Sequence, residues 1–181
     1  DASRFDACPR QFLFSRMKIM NQSPRPTKRI FLPILVRHMI RRDMADIDQI
    51  ENALFCDLAW TQEEFVTCLR RPNTVGMTIE NYDCETIGYM VYELHNRRIQ
   101  LLNFAVDPGY HRKSVGRQMV EKLFAKLSHQ RRTKIVAEVR EGNLDALLFF
   151  RAMGFLAVAL LKNEYEEYGL SDDTVIMEYH F

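Results

Sequence analysis

At 181 residues the chain is long enough to close one hydrophobic core and short for two, and 47% apolar with 27% charged residues excludes a disordered or collagen-like polymer. The formal charge of +1 is uneven: residues 1 to 30 hold seven Lys/Arg against Asp1 and Asp6, a net of +5, which leaves −4 for residues 31 to 181. A body without a basic surplus argues against nucleic-acid binding, and no apolar run approaches the roughly 18 residues of a membrane span. Cys8, Cys56, Cys68 and Cys84 are scattered, with no CxxC pair and no His at ligand spacing, which points to reduced thiols, a cytoplasmic setting and no metal site.

Residues 1 to 30 read as a basic N-terminal extension or arm. The short apolar patch "QFLFSRMKIM" is broken by charge and lacks an A-x-A-like cleavage site, so it does not read as a signal peptide. Two prolines in "SPRPT", residues 23 to 27, mark a linker, and a single domain is expected over residues 31 to 181. "FLPILVRHMI" predicts a strand near Leu35 to Ile40. Asp43 or Asp46 then caps a helix whose apolar residues Met44, Ile47, Ile50, Leu54 and Phe55 recur at helical spacing. "TQEEF" opens a second helix with a capping box, Thr61 followed three residues later by Glu64, and this helix ends before Pro72. Three strand-like runs follow, Thr74 to Glu80, Thr86 to Leu94 and Arg98 to Val106; breaks as short as "NYD" and "HNR" predict an antiparallel meander. Val115, Met119, Val120, Leu123, Phe124 and Leu127 form a helical stripe. "KIVAEVR" is a β-branched strand, Asn143 to Met153 a helix, and Gly154 to Leu161 and Thr174 to Tyr179 two last strands. The order implies a mixed sheet with helices on both faces, an α/β (α+β) domain.

The stretch "VDPGYHRKSVGRQMV", residues 106 to 120, carries the chemistry. A helix N-terminus offers unpaired N–H groups and about half a positive charge, which favour an anion. Arg112, Lys113 and Arg117 add charge, and the small Ser114 and Gly116 let oxygens approach the backbone. A phosphate cradle is the functional reading; a solvated basic turn is the other. The loop is neither a GxxxxGK[ST] nor a GxGxxG motif, and it follows an antiparallel strand.

"NFAVDPGYHRKSVGRQMVEKLF" together with "AEVREGNLDALLFFRAMGF" resembles the GCN5-related N-acetyltransferase (GNAT) superfamily, most closely its RimI-type branch of ribosomal-protein N-alpha-acetyltransferases. The likeness runs in element order from residue 35 to about residue 180. It implies a mostly antiparallel sheet of about seven strands, splayed between the fourth and fifth, with acetyl-CoA in the wedge. Three positions depart from the family pattern: His111 stands for Gln or Arg, Ser114 for the first Gly of the loop, and Phe150 for the Tyr that protonates the leaving thiolate. The last loss is tolerable, because a thiol of pKa about 8.5 leaves as thiolate at pH 7 for about 2 kcal/mol; Tyr165 or Tyr110 would be substitute donors.

By the same resemblance, main-chain groups of Phe104, Ala105 and Val106 hold the pantetheine arm and thioester, with an N–H near Val106 facing the developing oxyanion. His111, Arg112, Lys113, Ser114, Val115, Gly116 and Arg117 take the pyrophosphate, Phe150 lies against the cofactor, and Glu138 takes the base position. The bland alternative for Glu138 is an ion pair with Arg140 or a cross-strand cation, and Asn143 either contacts the cofactor or simply caps its helix. The acidic connection "KNEYEEYGLSDD", residues 162 to 173, either attracts a cationic amine or is a polar hairpin. The implied function is acetyl transfer to a primary amine, a protein N-terminal α-amine first and a small-molecule amine second; a non-catalytic acyl-CoA-binding regulatory module is the alternative from another class. Neither the acceptor nor the oligomeric state is legible.

Overall fold

The computed structural model describes residues 31–162 and 173–181. Seven strands, β1 (Leu35–His38), β2 (Thr74–Glu80), β3 (Thr86–Leu94), β4 (Arg98–Val106), β5 (Lys134–Arg140), β6 (Leu156–Leu161) and β7 (Thr174–His180), form one sheet in the order β1-β2-β3-β4-β5-β7-β6. Every neighbouring pair is antiparallel except β4 and β5. Four helices cover it: α1 (Met44–Phe55), α2 (Gln62–Leu69), α3 (Val115–Phe124) and α4 (Leu144–Ala152). None of the described helices is long and apolar enough to cross a membrane.

The polar breaks "NYD" and "HNR" do form the turns of a β2–β3–β4 meander, whose strands begin and end where the alternation predicts. At Gly88 the strands approach closely enough that a Cβ would lie 2.6 Å from the Ala105 carbonyl oxygen, so a side chain is excluded there. Side-chain alternation sorts the helices between two faces. Tyr89 and Asn103 point to the α1/α2 side, where Phe65 meets the Tyr89 ring edge-on at 5.5 Å and Asn103 bonds to Glu51 of α1. Phe104 points to the other side, against Phe149 and Phe150 of α4. There α3 presents Val115, Met119, Val120 and Leu123, all buried, while Leu127 joins the core from just beyond the helix.

Thr61 caps α2 as expected: its hydroxyl accepts from the Glu64 N–H, and the Glu64 carboxylate accepts from the Thr61 N–H. Asp43 does not cap α1. It immediately precedes the helix, but its buried carboxylate accepts instead from the Ile40 N–H, the Thr78 hydroxyl and the Arg37 guanidinium, at 2.9, 2.9 and 2.7 Å. A charge-assisted pair with Arg37 is stronger than an ordinary cap, so the tertiary partner takes the carboxylate. Strand β1 stops at His38, two residues short of the expected Ile40.

Candidate active site

The wedge arises from the β4 register. β4 pairs with β5 over only four rungs, Arg98 to Leu101 against Lys134 to Ala137, after which both strands continue without pairing to each other. Immediately beyond the last rung β4 bulges: Tyr92 faces Leu101 while Val91 faces Asn103, leaving Leu102 as the extra residue. A bulge bends its strand and increases its twist, which turns β4 away from β5.

The ladder decides which backbone groups face the gap. The Asp107 N–H donates to the Ile87 carbonyl, so Gly88 and Val106 form a non-hydrogen-bonded pair of the antiparallel ladder. The N–H and C=O of Val106 therefore turn from β3 toward the side that β5 has left, and two residues back Phe104 does the same. Ala105 lies at the alternate position, directed at Tyr89. This corrects the expectation that all three residues present main-chain groups to a ligand: Ala105 spends its own on β3. The Phe104 side chain is buried in the core, so only its backbone is at issue.

His111 does not belong with the loop's anion donors. Its Nε2 lies 2.7 Å from the Val106 carbonyl oxygen, an acceptor only, so Nε2 carries the proton and donates. The imidazole thus ties the loop to the end of β4. Between them Asp107 accepts the Gly109 N–H at 2.7 Å and closes a 3-10 turn over Pro108–Tyr110. Arg112 and Ser114 both adopt φ of 63°. For a residue with a Cβ this left-handed conformation costs about 1–2 kcal/mol, so the Gly-like geometry persists at Ser114 although Gly is absent. Ser114 precedes α3 without any side-chain cap hydrogen bond to it, leaving the amides of the first turn uncapped by that side chain.

Other loop residues divide by role. Val115 is buried and offers only its backbone. Gly116 serves packing rather than anion approach: a Cβ there would meet the Phe149 ring at 3.3 Å. Lys113 Nζ lies 4.7 Å from the centre of the Tyr110 ring, and Arg117 pairs loosely with Glu121 at 3.7 Å. Tyr110 is not placed as a proton donor to a thiolate. Its hydroxyl donates to Glu85 at 2.7 Å and accepts from Asn81, and the Glu85 carboxylate, as its hydrogen-bond partner, pushes its pKa up. Tyr165 and the acids between positions 163 and 172 lie outside the described residues.

On the α1/α2 face, Glu138 of β5 is half-buried at the apex of the wedge and accepts from Gln100 Nε2 of β4 at 3.1 Å. Gln100 is thus one partner of its carboxylate. Asn143 caps α4, its Oδ1 accepting the Ala146 N–H at 3.2 Å, while its buried Nδ2 has no partner among the described residues. Phe150 is wholly buried among Phe104, Phe149 and Phe155, with ring centroids 5.0 to 6.0 Å away. It is a core residue, and a direct cofactor contact from its ring does not fit that burial.

One buried acid escaped the sequence reading. Glu51 is 1% exposed; its Oε1 accepts the Trp60 N–H at 2.8 Å and Asn103 Nδ2 at 3.2 Å, and its Oε2 has no partner among the described residues. Burial pushes its pKa up to about 8, against which those two hydrogen bonds pull only partly. The legible signal was its place: Glu51 lies on the stripe of Ile47, Ile50 and Leu54, where an apolar residue is expected.

A mixed seven-stranded sheet with one parallel junction that splays beside a basic loop leading into a helix defines an acyl-CoA-type transferase fold. The model of the Acetyltransferase (GNAT) family matches residues 39–155, and the chain belongs to that family. The [ribosomal protein bS18]-alanine N-acetyltransferase of Escherichia coli K12 is 32% identical over 77 residues, 42% of this chain and 52% of that protein; its Salmonella typhimurium counterpart is 31% identical over the same span. The chain thus matches about half the length of these relatives. Among solved structures, the Escherichia coli ribosomal-protein-S18-alanine N-acetyltransferase superimposes with a TM-score of 0.68 at 20% identity, covering 82% of this chain and 94% of that one. Arabidopsis thaliana NAA60 in complex with acetyl-CoA gives 0.70 at 16% identity, covering 82% and 100%.

Proposed function

We propose that this protein is an acetyl-CoA-dependent N-acetyltransferase acting on a primary amine, with a protein N-terminal α-amine as its first acceptor class. The observation that carries the reading is the wedge: the Val106 N–H faces a gap between two strands, its carbonyl being taken by His111, and that gap adjoins a basic loop entering α3. The residues present fit the cofactor. The buried Asn143 Nδ2 lacks a partner among the described residues, and an extended pantetheine offers the amide groups that an unpaired strand edge requires.

When bound, acetyl-CoA supplies an acyl group activated as a thioester. Val106 N–H would donate to oxygen as negative charge collects there, the main-chain form of oxyanion stabilisation. Arg112, Lys113, Arg117 and the first amides of α3 would hold the diphosphate. Glu138 would take the proton that an amine must lose before it attacks, directly or through water. An α-amine, with pKa about 8, gives up that proton more easily than a Lys side chain at about 10.4. The similarity to proteins named for alanine N-acetylation supports this acceptor class.

A non-catalytic acyl-CoA-binding module is the second reading, favoured by the buried Phe150 in place of an acid. Calorimetric titration with acetyl-CoA, followed by thiol release with a panel of peptides and small amines, separates the readings. Glu138→Gln is expected to keep cofactor binding and lower kcat at least about tenfold. Tight binding without turnover on any amine would give the site to the module instead.

A further inference from the structure

We infer that Leu32 and Gln118 form a strap that holds the strained 112–114 loop in its anion-binding shape, making Gln118 a positioning residue for the cofactor. The inference rests on the acetyl-CoA reading of this loop. The Leu32 N–H donates to the Lys113 carbonyl at 3.0 Å. Gln118 Nε2, one turn into α3, donates to the Leu32 carbonyl at 2.6 Å and reaches the Ser114 carbonyl at 3.3 Å. The N–H of Leu32 is thus spent on the loop and its carbonyl on the first turn of α3. Pro33 favours this, because a residue before proline is driven to extended backbone, in which N–H and C=O face outward to a neighbour.

The consequence follows from peptide geometry. A trans peptide directs its carbonyl and its N–H to opposite sides. Fixing the Lys113 carbonyl toward Leu32 therefore fixes the Ser114 N–H away from it; the Ser114 carbonyl is held by the Gln118 backbone N–H at 3.2 Å as well as by Nε2, so the strap acts chiefly on the Ser114 N–H. This amide stands at the entry of α3. Arg112 and Ser114 are the residues with φ of 63°, so without the strap the peptides between them relax toward conformations that a residue with a Cβ prefers, and the amides turn with them. The strap supplies the constraint that Gly at position 114 would make unnecessary.

The test is a double-substitution cycle on the full chain, read by acetyl-CoA affinity, steady-state kinetics and amide hydrogen exchange. Gln118→Leu keeps the side chain's size but cannot donate. It is expected to weaken acetyl-CoA binding about tenfold and raise its KM, leaving kcat at saturating cofactor unchanged. Exchange at Lys113 to Val115 should quicken without ligand. Ser114→Gly in the Gln118→Leu background should restore most of the lost affinity, and Gln118→Glu should behave as Gln118→Leu does. Affinity within twofold of the parent protein in both Gln118 variants, or loss of affinity that Ser114→Gly leaves untouched, would overturn the strap. A parent protein that binds no acetyl-CoA would instead remove the proposed function, and the exchange rates alone would then decide the strap: unchanged rates at Lys113 to Val115 would refute it.

Discussion

Glu51 shows how one buried side chain adds a pH dependence to the stability of the fold. Its folded pKa of about 8 lies well above the ordinary carboxylate value of 4.5, because burial disfavours the charge. Between those values the folded chain retains a proton that the unfolded chain has released. Stability from this group is therefore fully present below about pH 4.5 and declines as pH rises toward 8. Glu51→Gln keeps an acceptor for the Trp60 N–H and Asn103 Nδ2 and removes the titration. Thermal unfolding followed from pH 5 to 8.5 should show the variant gaining on the parent protein as pH rises; parallel curves would mean that Glu51 is already ionised in the fold. Ser114 and Gly116 carry a different lesson at this scale. Their small size was legible in the sequence, but the left-handed backbone at Ser114 and the Phe149 ring over Gly116 were not, because both depend on elements distant in the chain.

Between elements, the connection of β1 to α1 depends on a single cation. Arg37 donates to both oxygens of Asp43 at 2.7 and 2.8 Å and also to Glu80. Burial by itself would raise the Asp43 pKa, but the hydrogen bonds from Arg37, the Ile40 N–H and Thr78 outweigh it and hold the carboxyl below its usual range. This contribution is complete above the ordinary carboxylate range and is lost as pH falls through the folded value. Arg37→Met strands a buried carboxylate and should cost about 3 kcal/mol by urea unfolding at pH 7, and less in acid, where the stranded Asp43 of the variant takes up a proton. An equal cost at both pH values would deny the ion pair its role. The same contact explains why helix caps were only partly readable. Thr61 and Glu64 satisfy each other within one turn, so their spacing was sufficient, whereas Asp43 found a better partner on a neighbouring strand. The meander strands were legible to their ends because short polar breaks, residues 81–85 and 95–97, leave little freedom of register.

For the molecule as a whole, topology was readable and the wedge was only implied by resemblance. Apolar periodicity gave seven strands and four helices in the right order, and the motifs singled out the loop before α3 as the candidate phosphate site. The divergence of β4 and β5 depends on Leu102 falling outside the β3 register, and nothing in the residue pattern of "RIQLLNFAV" marks that bulge. The parity that sends Val106 toward the gap and Ala105 toward Tyr89 follows from the same ladder. It makes the central claim testable one amide at a time. Backbone amide exchange measured by NMR, with and without acetyl-CoA, reads those two positions directly. Val106 N–H is expected to gain strong protection on cofactor addition, while Ala105 N–H, already committed to β3, stays as protected as before. Saturating acetyl-CoA with no change at Val106 would contradict the account.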